Sequence, residues 1–296
     1  MSKNQSSQLT TALAILQQGE YDLREFNHWW QKHTQENKTL PEIQPDKWTA
    51  KLKLVKTLSQ AMPFLPLPQR LAVSLSLLNP VEKTARKIIL HRALSKLQTL
   101  RKNGLVVVAI AGSYGKTSTK YWLEHLLKSQ VAVLATAKSI NTPLGIAQTI
   151  QEKLTPDHKV FLVELGEYYQ GDIAELANLI KPDFGILTPV GTQHLERMGN
   201  IETIAQTIGE LLDYFENNVS EYQQKIISAE ENRPYFKNRT NYYGTNNENA
   251  WELSKVSLSR QGTTGTISHQ KQSFSVFTPL YGEHQLANSL AGFWLA

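Results

Sequence analysis

The chain has 296 residues, 41% of them hydrophobic and 19% charged, which is ordinary for a globular protein and long enough for two domains. It contains no cysteine, which excludes disulfides, thiolate zinc sites and cysteine nucleophiles and fits a reducing, cytoplasmic setting. Net charge is +5, yet residues 51–120 hold thirteen Lys/Arg against a single acid, Glu82; such a block can face nucleic acid, anionic lipid or a phosphorylated substrate, or be a solvated helix face.

The polar start, MSKNQSSQLT, reads as no signal peptide. Residues 8–18 predict a helix ending at Gly19, and Leu23, Phe26 and Trp30 place a second apolar face at i, i+3, i+7. Together they suggest a helical hairpin, with the Trp29-Trp30 pair read as core packing rather than a ligand-stacking platform. Residues 34–48 are polar with two prolines and read as a linker. The apolar stretch 61–81 is interrupted by Pro63, Pro66, Pro68 and Arg70. Its eleven charge-free residues after Arg70 are too few to cross a bilayer. With basic flanks it could lie in a membrane interface or pack on the next domain. Residues 81–103 predict a basic amphipathic helix with Val81, Ala85, Ile88, Ile89, Ala93, Leu97 and Leu100 inward, stopped by Gly104. The expected organisation is thus a helical region over 1–103, followed by a second domain over 104–296.

From Leu105 to Ala111 the chain is unbrokenly apolar and rich in β-branched residues, the composition of a strand buried on both faces of a parallel sheet. Gly112-Ser113-Tyr114-Gly115-Lys116-Thr117 follows, and then a helical pattern. Strand, glycine turn, Lys-Thr and helix make a phosphate-binding loop: backbone N–H groups and the helix N-terminus surround phosphate oxygens. Lys116 would reach the β/γ-phosphates and the Thr117 hydroxyl a Mg²⁺ ion. The spacing is short, because Ile110 stands where the commoner motif has glycine.

Strands at 131–135, 160–165, 184–188 and 225–229 then alternate with helices at 144–150, 172–180 and 201–215, predicting a doubly wound, mostly parallel α/β sheet. A small β-rich portion occupies about 240–280. The last stretch begins as a helix and stops without a capping signal, as if a further domain followed. Three clusters fall at strand ends, where a nucleotide would lie: Ser139–Gly145, Glu164–Glu167 and Thr188–Glu196, the last including His194. Alone, Glu164 reads as a strand-end carboxylate and His194 as a loop histidine. Beside a phosphate loop, both become candidate Mg²⁺ ligands.

The order GSYGKTSTK, NTPLG, VELG, GTQHLE and YGEHQLAN over residues 105–296 resembles the central ATP-binding domain of the Mur ligases, most closely their MurF type. The resemblance implies ATP-dependent acid–amino acid ligation in peptidoglycan precursor synthesis. A UDP-sugar-peptide carboxylate would form an acyl phosphate that an amine then attacks. It implies ATP and Mg²⁺ as cofactors, with Gly112, Ser113, Gly115, Lys116, Thr117 and Ser118 around the phosphates and His284 and Asn288 at the adenine edge. Thr117, Glu164 and His194 would hold metal; Lys116, Glu164 and His194 would form the catalytic set; Asn141 and Thr142 would lie in the substrate-facing loop. Two departures stand out. Ile208 occupies the place of a lysine that the family carbamylates into a metal ligand, and the family's C-terminal domain has no counterpart here, so a separate domain or partner chain is expected to supply it. These departures leave open impaired ligase activity, or a non-catalytic nucleotide-binding module acting as a scaffold. Peripheral contact with an anionic membrane through residues 51–103 is a further expectation, and no nucleic-acid partner is expected.

Overall fold

The apolar run after Gly104 forms β1 (Val106–Ala111), an interior strand third in order across a nine-stranded sheet in the computed structural model. The structure describes residues 3–18, 23, 26–27, 30–32, 45, 49–246, 248–270 and 272–295. Gly19, Trp29 and most of the 34–48 segment therefore lie outside the described residues. The chain divides into two units, Met1–Lys87 and Ile88–Ala296.

The first unit contains α1 (Lys3–Gln18), α2 (Ala50–Gln60) and the beginning of α3 (Leu67–Lys102). Leu9, Leu13 and Leu16 of α1 bury against Phe26, Leu52, Val55 and Leu71, and Thr49 caps α2 by accepting from Leu52 N at 3.2 Å. Trp30 stacks on Phe26 at 5.8 Å, so its ring belongs to this core. Helix α3 begins well before the expected 81–103 helix. Pro66 and Pro68 stand just before and within its first turn, where a missing N–H costs nothing, so they open the helix rather than break the segment. Pro80 is carried inside it. Of the expected apolar face only Ala93, Leu97 and Leu100 are buried, with Ile89 half-buried; Val81, Ala85 and Ile88 are exposed. Among the described residues no helix is long and apolar enough to cross a membrane.

In the second unit β1 is followed by α4 (Lys116–Leu127), β2 (Val133–Ala135), α5 (Pro143–Glu152), β3 (Val160–Glu164), α6 (Asp172–Ile180) and β4 (Phe184–Leu187). Then come α7 (Leu195–Met198), α8 (Ile201–Asn218), β5 (Ile226–Ala229), α9 (Arg233–Phe236) and β6 (Asn241–Gly244). The chain continues with β7 (Trp251–Ser259), β8 (Gly262–His269), β9 (Gln272–Thr278) and α10 (Glu283–Leu295). Strand order is β2-β3-β1-β4-β5-β6-β7-β8-β9, parallel as far as β7 and antiparallel beyond it. The doubly wound expectation holds, and the β-rich portion extends the same sheet.

Alternation along β1 separates two cores. Val107, Ala109 and Ala111 face one with Ile146, Ile173 and Ile208; Val108 and Ile110 face the other with Leu123, Leu286 and Leu290. The helices after β1 and β3 therefore lie on opposite faces, which opens a crevice at the carboxyl ends of these adjacent strands. Ile208 itself is fully buried on α8. Ile208→Ala is expected to cost roughly 2–5 kcal/mol of stability through the lost methylenes and the residual cavity, measured as a lowered urea midpoint at unchanged m-value.

Candidate functional site

The crevice is bounded by three chain reversals. The first follows β1: Gly112 and Gly115 take φ of +138° and +84°, and neither tolerates a side chain. A Cβ on Gly112 would lie 2.1 Å from Thr188 Oγ1, and one on Gly115 2.8 Å from Asn288 Oδ1. Gly115 is also the N-cap of α4 and supplies no capping side chain, so the first N–H groups of that helix are open to an anion. The turn is held in place from β4, because Ser113 N and Tyr114 N both donate to Pro189 O, at 3.0 and 3.3 Å.

Four charged side chains then meet where water is nearly excluded. Lys116 donates to Gly112 O and stands 2.6 Å from Glu167 Oε1. Lys120, one turn on along the same helix face, donates to Lys138 O and lies 3.1 Å from Glu164 Oε2. The Thr117 hydroxyl donates to that same oxygen at 2.9 Å. Glu164 ends β3 opposite Ile110 of β1, so parallel register delivers its carboxylate to the loop. Burial pushes the Glu167 carboxyl above the usual carboxylate range, against the opposing charge and hydrogen bond of Lys116 and with a further push from Glu164.

His194 adopts a left-handed conformation, φ +62°, at the start of α7. Partial burial, then the charges of Lys116 and Arg197, hold its imidazole below the ordinary histidine pKa. It is therefore neutral near pH 7, the form that binds metal. The Tyr168 ring packs 5.0 Å from it, and the Arg197 guanidinium lies 5.5 Å from the same tyrosine ring.

These groups line a cavity of ≈ 370 Å³ that includes Ser113, Gly115, Lys116, Thr117, Ser118, Asn141, Glu164, Glu167 and His194. Of the substrate-loop pair, Asn141 reaches this cavity, whereas the Thr142 hydroxyl caps α5 by accepting from Gly145 N at 3.4 Å. A second cavity of ≈ 390 Å³ is lined by Pro189, Glu230, Glu231, Tyr243, Thr245, His284 and Asn288. The two adjoin across the Gly115–Asn288 approach. Asn232 ties them together: its Nδ2 donates to Thr188 O at 3.0 Å, and its Oδ1 accepts from Val190 N at 2.7 Å.

The residues fit a nucleoside triphosphate with its cation. The glycine turn packs on Thr188 and Asn288 where a Cβ would clash, and leaves the helix N-terminus after it open to phosphate. Thr117, Glu164 and His194 share one cavity, and Glu167 Oε2 is buried without a hydrogen-bond partner. Among the described residues no three His, Cys, Asp or Glu side chains form a ready cage, as suits Mg²⁺, which takes one or two carboxylates together with phosphate oxygens. Ile208, in the apolar core, offers the cavity no donor. Sequence reasoning gave no role to Lys120, Glu167 or Asn232; a lysine one turn after Lys116 was the available signal for the first.

Fold and site together define an α/β protein with a glycine turn and a Lys-Thr helix start at the carboxyl end of β1. The Mur ligase middle domain matches residues 110–296, and the chain belongs to the Mur ligase family. It is 31% identical over 222 residues to the UDP-N-acetylmuramoyl-tripeptide–D-alanyl-D-alanine ligase of Bacillus subtilis (strain 168), covering 72% of this chain and 46% of that protein. Against the same ligase of Escherichia coli (strain K12) it is 30% identical over 197 residues, covering 62% and 41%. The chain thus spans less than half the length of these relatives. The MurF ligase of Thermotoga maritima, solved in complex with ADP, superposes with a TM-score of 0.63 at 25% identity, over 71% of this chain and 48% of that one.

Lys120→Met leaves the Glu164 carboxylate buried without its ammonium partner and is expected to destabilise by about 3–5 kcal/mol. Adding Glu164→Gln should recover part of that loss, a non-additivity that a double-mutant cycle in chemical denaturation measures.

Proposed function

We propose that the chain binds ATP through the loop Gly112–Ser118 and uses it to activate a substrate carboxylate for amide bond formation. The substrate class is a UDP-sugar-peptide precursor of peptidoglycan. The reading is supported most directly by the convergence of Lys116, Thr117, Glu164 and Glu167 on one glycine-lined cavity. The D-alanyl-D-alanine ligases at 30–31% identity support the reaction class. Residues 104–296 would form the ATP-binding domain and residues 1–103 an accessory helical region.

In this proposal the polyphosphate lies along the α4 N-terminus, with its base in the cavity of His284 and Asn288. Lys116 leaves Glu167 and Gly112 O for the phosphate oxygens, compensating charge as the γ-phosphoryl group passes to the substrate carboxylate oxygen. ADP departs, and an amine attacks the acyl phosphate to form the amide and release phosphate. Asn141, on the cavity wall, would face the acyl substrate. Thr117, Glu164 and His194 would hold Mg²⁺, which supplies charge neutralisation across the phosphates. The reaction is then mainly one of positioning and screening: the amine attacks as its free base, and the proton it loses goes to the departing phosphate.

Lys116→Ala removes the ammonium that answers the phosphates. ATP affinity should fall by about 2 kcal/mol or more, roughly 30-fold, in isothermal titration; unchanged affinity would overturn the reading.

A second reading, contact with an anionic membrane surface, is favoured by one feature of α3. Val73, Leu77 and Val81 form an exposed apolar stripe at i, i+4, i+8, beside exposed Lys83, Arg86 and Lys87. Vesicles containing phosphatidylserine are expected to sediment the protein at low salt and release it at high salt. No sedimentation at low salt would dismiss the contact.

A further inference from the structure

Glu164 and Glu167 line the same phosphate cavity and are 2% and 1% exposed. They are not equally satisfied. Glu164 Oε2 accepts from the Thr117 hydroxyl and the Lys120 ammonium, at 2.9 and 3.1 Å. Glu167 Oε1 lies 2.6 Å from Lys116 Nζ, while its Oε2 is buried with no hydrogen-bond partner. A buried carboxylate oxygen without a donor is unfavourable and points to a missing partner. The partner Glu167 does have is one that a nucleotide would take away. Lys116 carries three donors, and one already goes to Gly112 O. Phosphate oxygens arriving at the loop compete with Glu167 for the rest. Once the ammonium turns, Glu167 is an uncompensated buried anion beside a second carboxylate and an incoming polyanion. A cation placed among them, or a proton on the carboxyl, makes that arrangement tolerable, and a divalent ion is what a polyphosphate brings with it.

We propose that Glu167 is a ligand of the divalent cation that accompanies the nucleotide, acting with Glu164, and that it exchanges Lys116 for this cation as the nucleotide enters. The inference rests on the nucleotide-binding reading above. The donor chemistry is that of Mg²⁺: hard carboxylate oxygens, one or two in number, with phosphate oxygens and water completing the shell. The site is then built by the nucleotide rather than waiting for it.

The test titrates Mn²⁺, followed by its paramagnetic resonance, into protein saturated with β,γ-methylene-ATP, comparing wild type with Glu167→Gln. The variant is expected to bind Mn²⁺ on the order of 10- to 100-fold more weakly. It should bind the metal-free analogue at least as tightly as wild type, since Lys116 is no longer contested by a charge. Equal Mn²⁺ affinity in the two proteins overturns the proposal. A matching loss of metal-free analogue binding overturns it as well, by making Glu167 a mere support for Lys116. Wild-type protein that binds no analogue under either condition sinks the nucleotide reading itself, a result distinct from both. Should circular dichroism show Glu167→Gln unfolded, Glu167→Asp takes its place. Its shortened carboxylate is expected to weaken Mn²⁺ about tenfold, and equal affinity again overturns the proposal.

Discussion

The site depends on a charge balance held in a nearly dry cavity: two ammonium groups, Lys116 and Lys120, against two carboxylates, Glu167 and Glu164. None of the four is more than 8% exposed at its side chain. Charges so placed are stable only while each keeps its partner, because an unpaired ion in low dielectric costs several kcal/mol, on the order of 3–5. The pairs are short in space and long in sequence, and they draw their members from α4, the end of β3 and the turn that follows it. Secondary structure is therefore not a neutral frame for this site. The register of β1 with β3 and the helical rise between Lys116 and Lys120 must both be right before the charges cancel.

The topology meets that demand by putting β1 and β3 side by side and sending their helices to opposite faces of the sheet. A crevice made in this way has backbone on both walls, and glycine lets the walls close. At Gly112 the approach is to Thr188 beyond β4, and at Gly115 to Asn288 on α10. These contacts bring the far end of the chain against the phosphate loop. They explain why the YGEHQLAN segment belongs with the GSYGKTSTK loop although about 170 residues separate them.

Much of this was legible in the sequence where local pattern decides structure. The apolar run 105–111, the glycine turn with Lys116-Thr117, and the alternation of short apolar runs with helical segments specify the strands and the sheet class without any tertiary information. Legibility failed where meaning comes from a distant neighbour. Pro66 and Pro68 read as breakers because their effect depends on whether a helix begins there or is already under way. Val81 and Ile88 carry the period of a buried face, yet burial depends on what is packed against it, and they are exposed. Lys120 reads as one more residue of a basic block until Glu164 is found beside it. Glu167 is one more member of a strand-end cluster until its burial beside Lys116 is seen. By resemblance Ile208 reads as standing in the place of a lysine, whereas its position in the apolar core on α8 follows only from the packing.

The two cavities are linked through the segment 188–190, and this bears on how the site can work. Pro189 O receives Ser113 N and Tyr114 N from the phosphate loop, while Pro189 itself lines the second cavity. Asn232, fully buried, holds the same segment from behind through Thr188 O and Val190 N. A segment whose main-chain groups are bonded at three consecutive residues, to the loop backbone and to the Asn232 side chain, has little freedom to act as a hinge. The distance between the phosphate loop and the His284–Asn288 cavity is accordingly set by the fold before any ligand arrives. What remains adjustable is the pairing of side chains within the cavity, where Lys116 holds Glu167 and Gly112 O at the end of one flexible stem. On the proposed nucleotide-binding reading, adaptation to the ligand would fall on a rearrangement of charge pairs in a rigid crevice, in electrostatics rather than in movement of the chain.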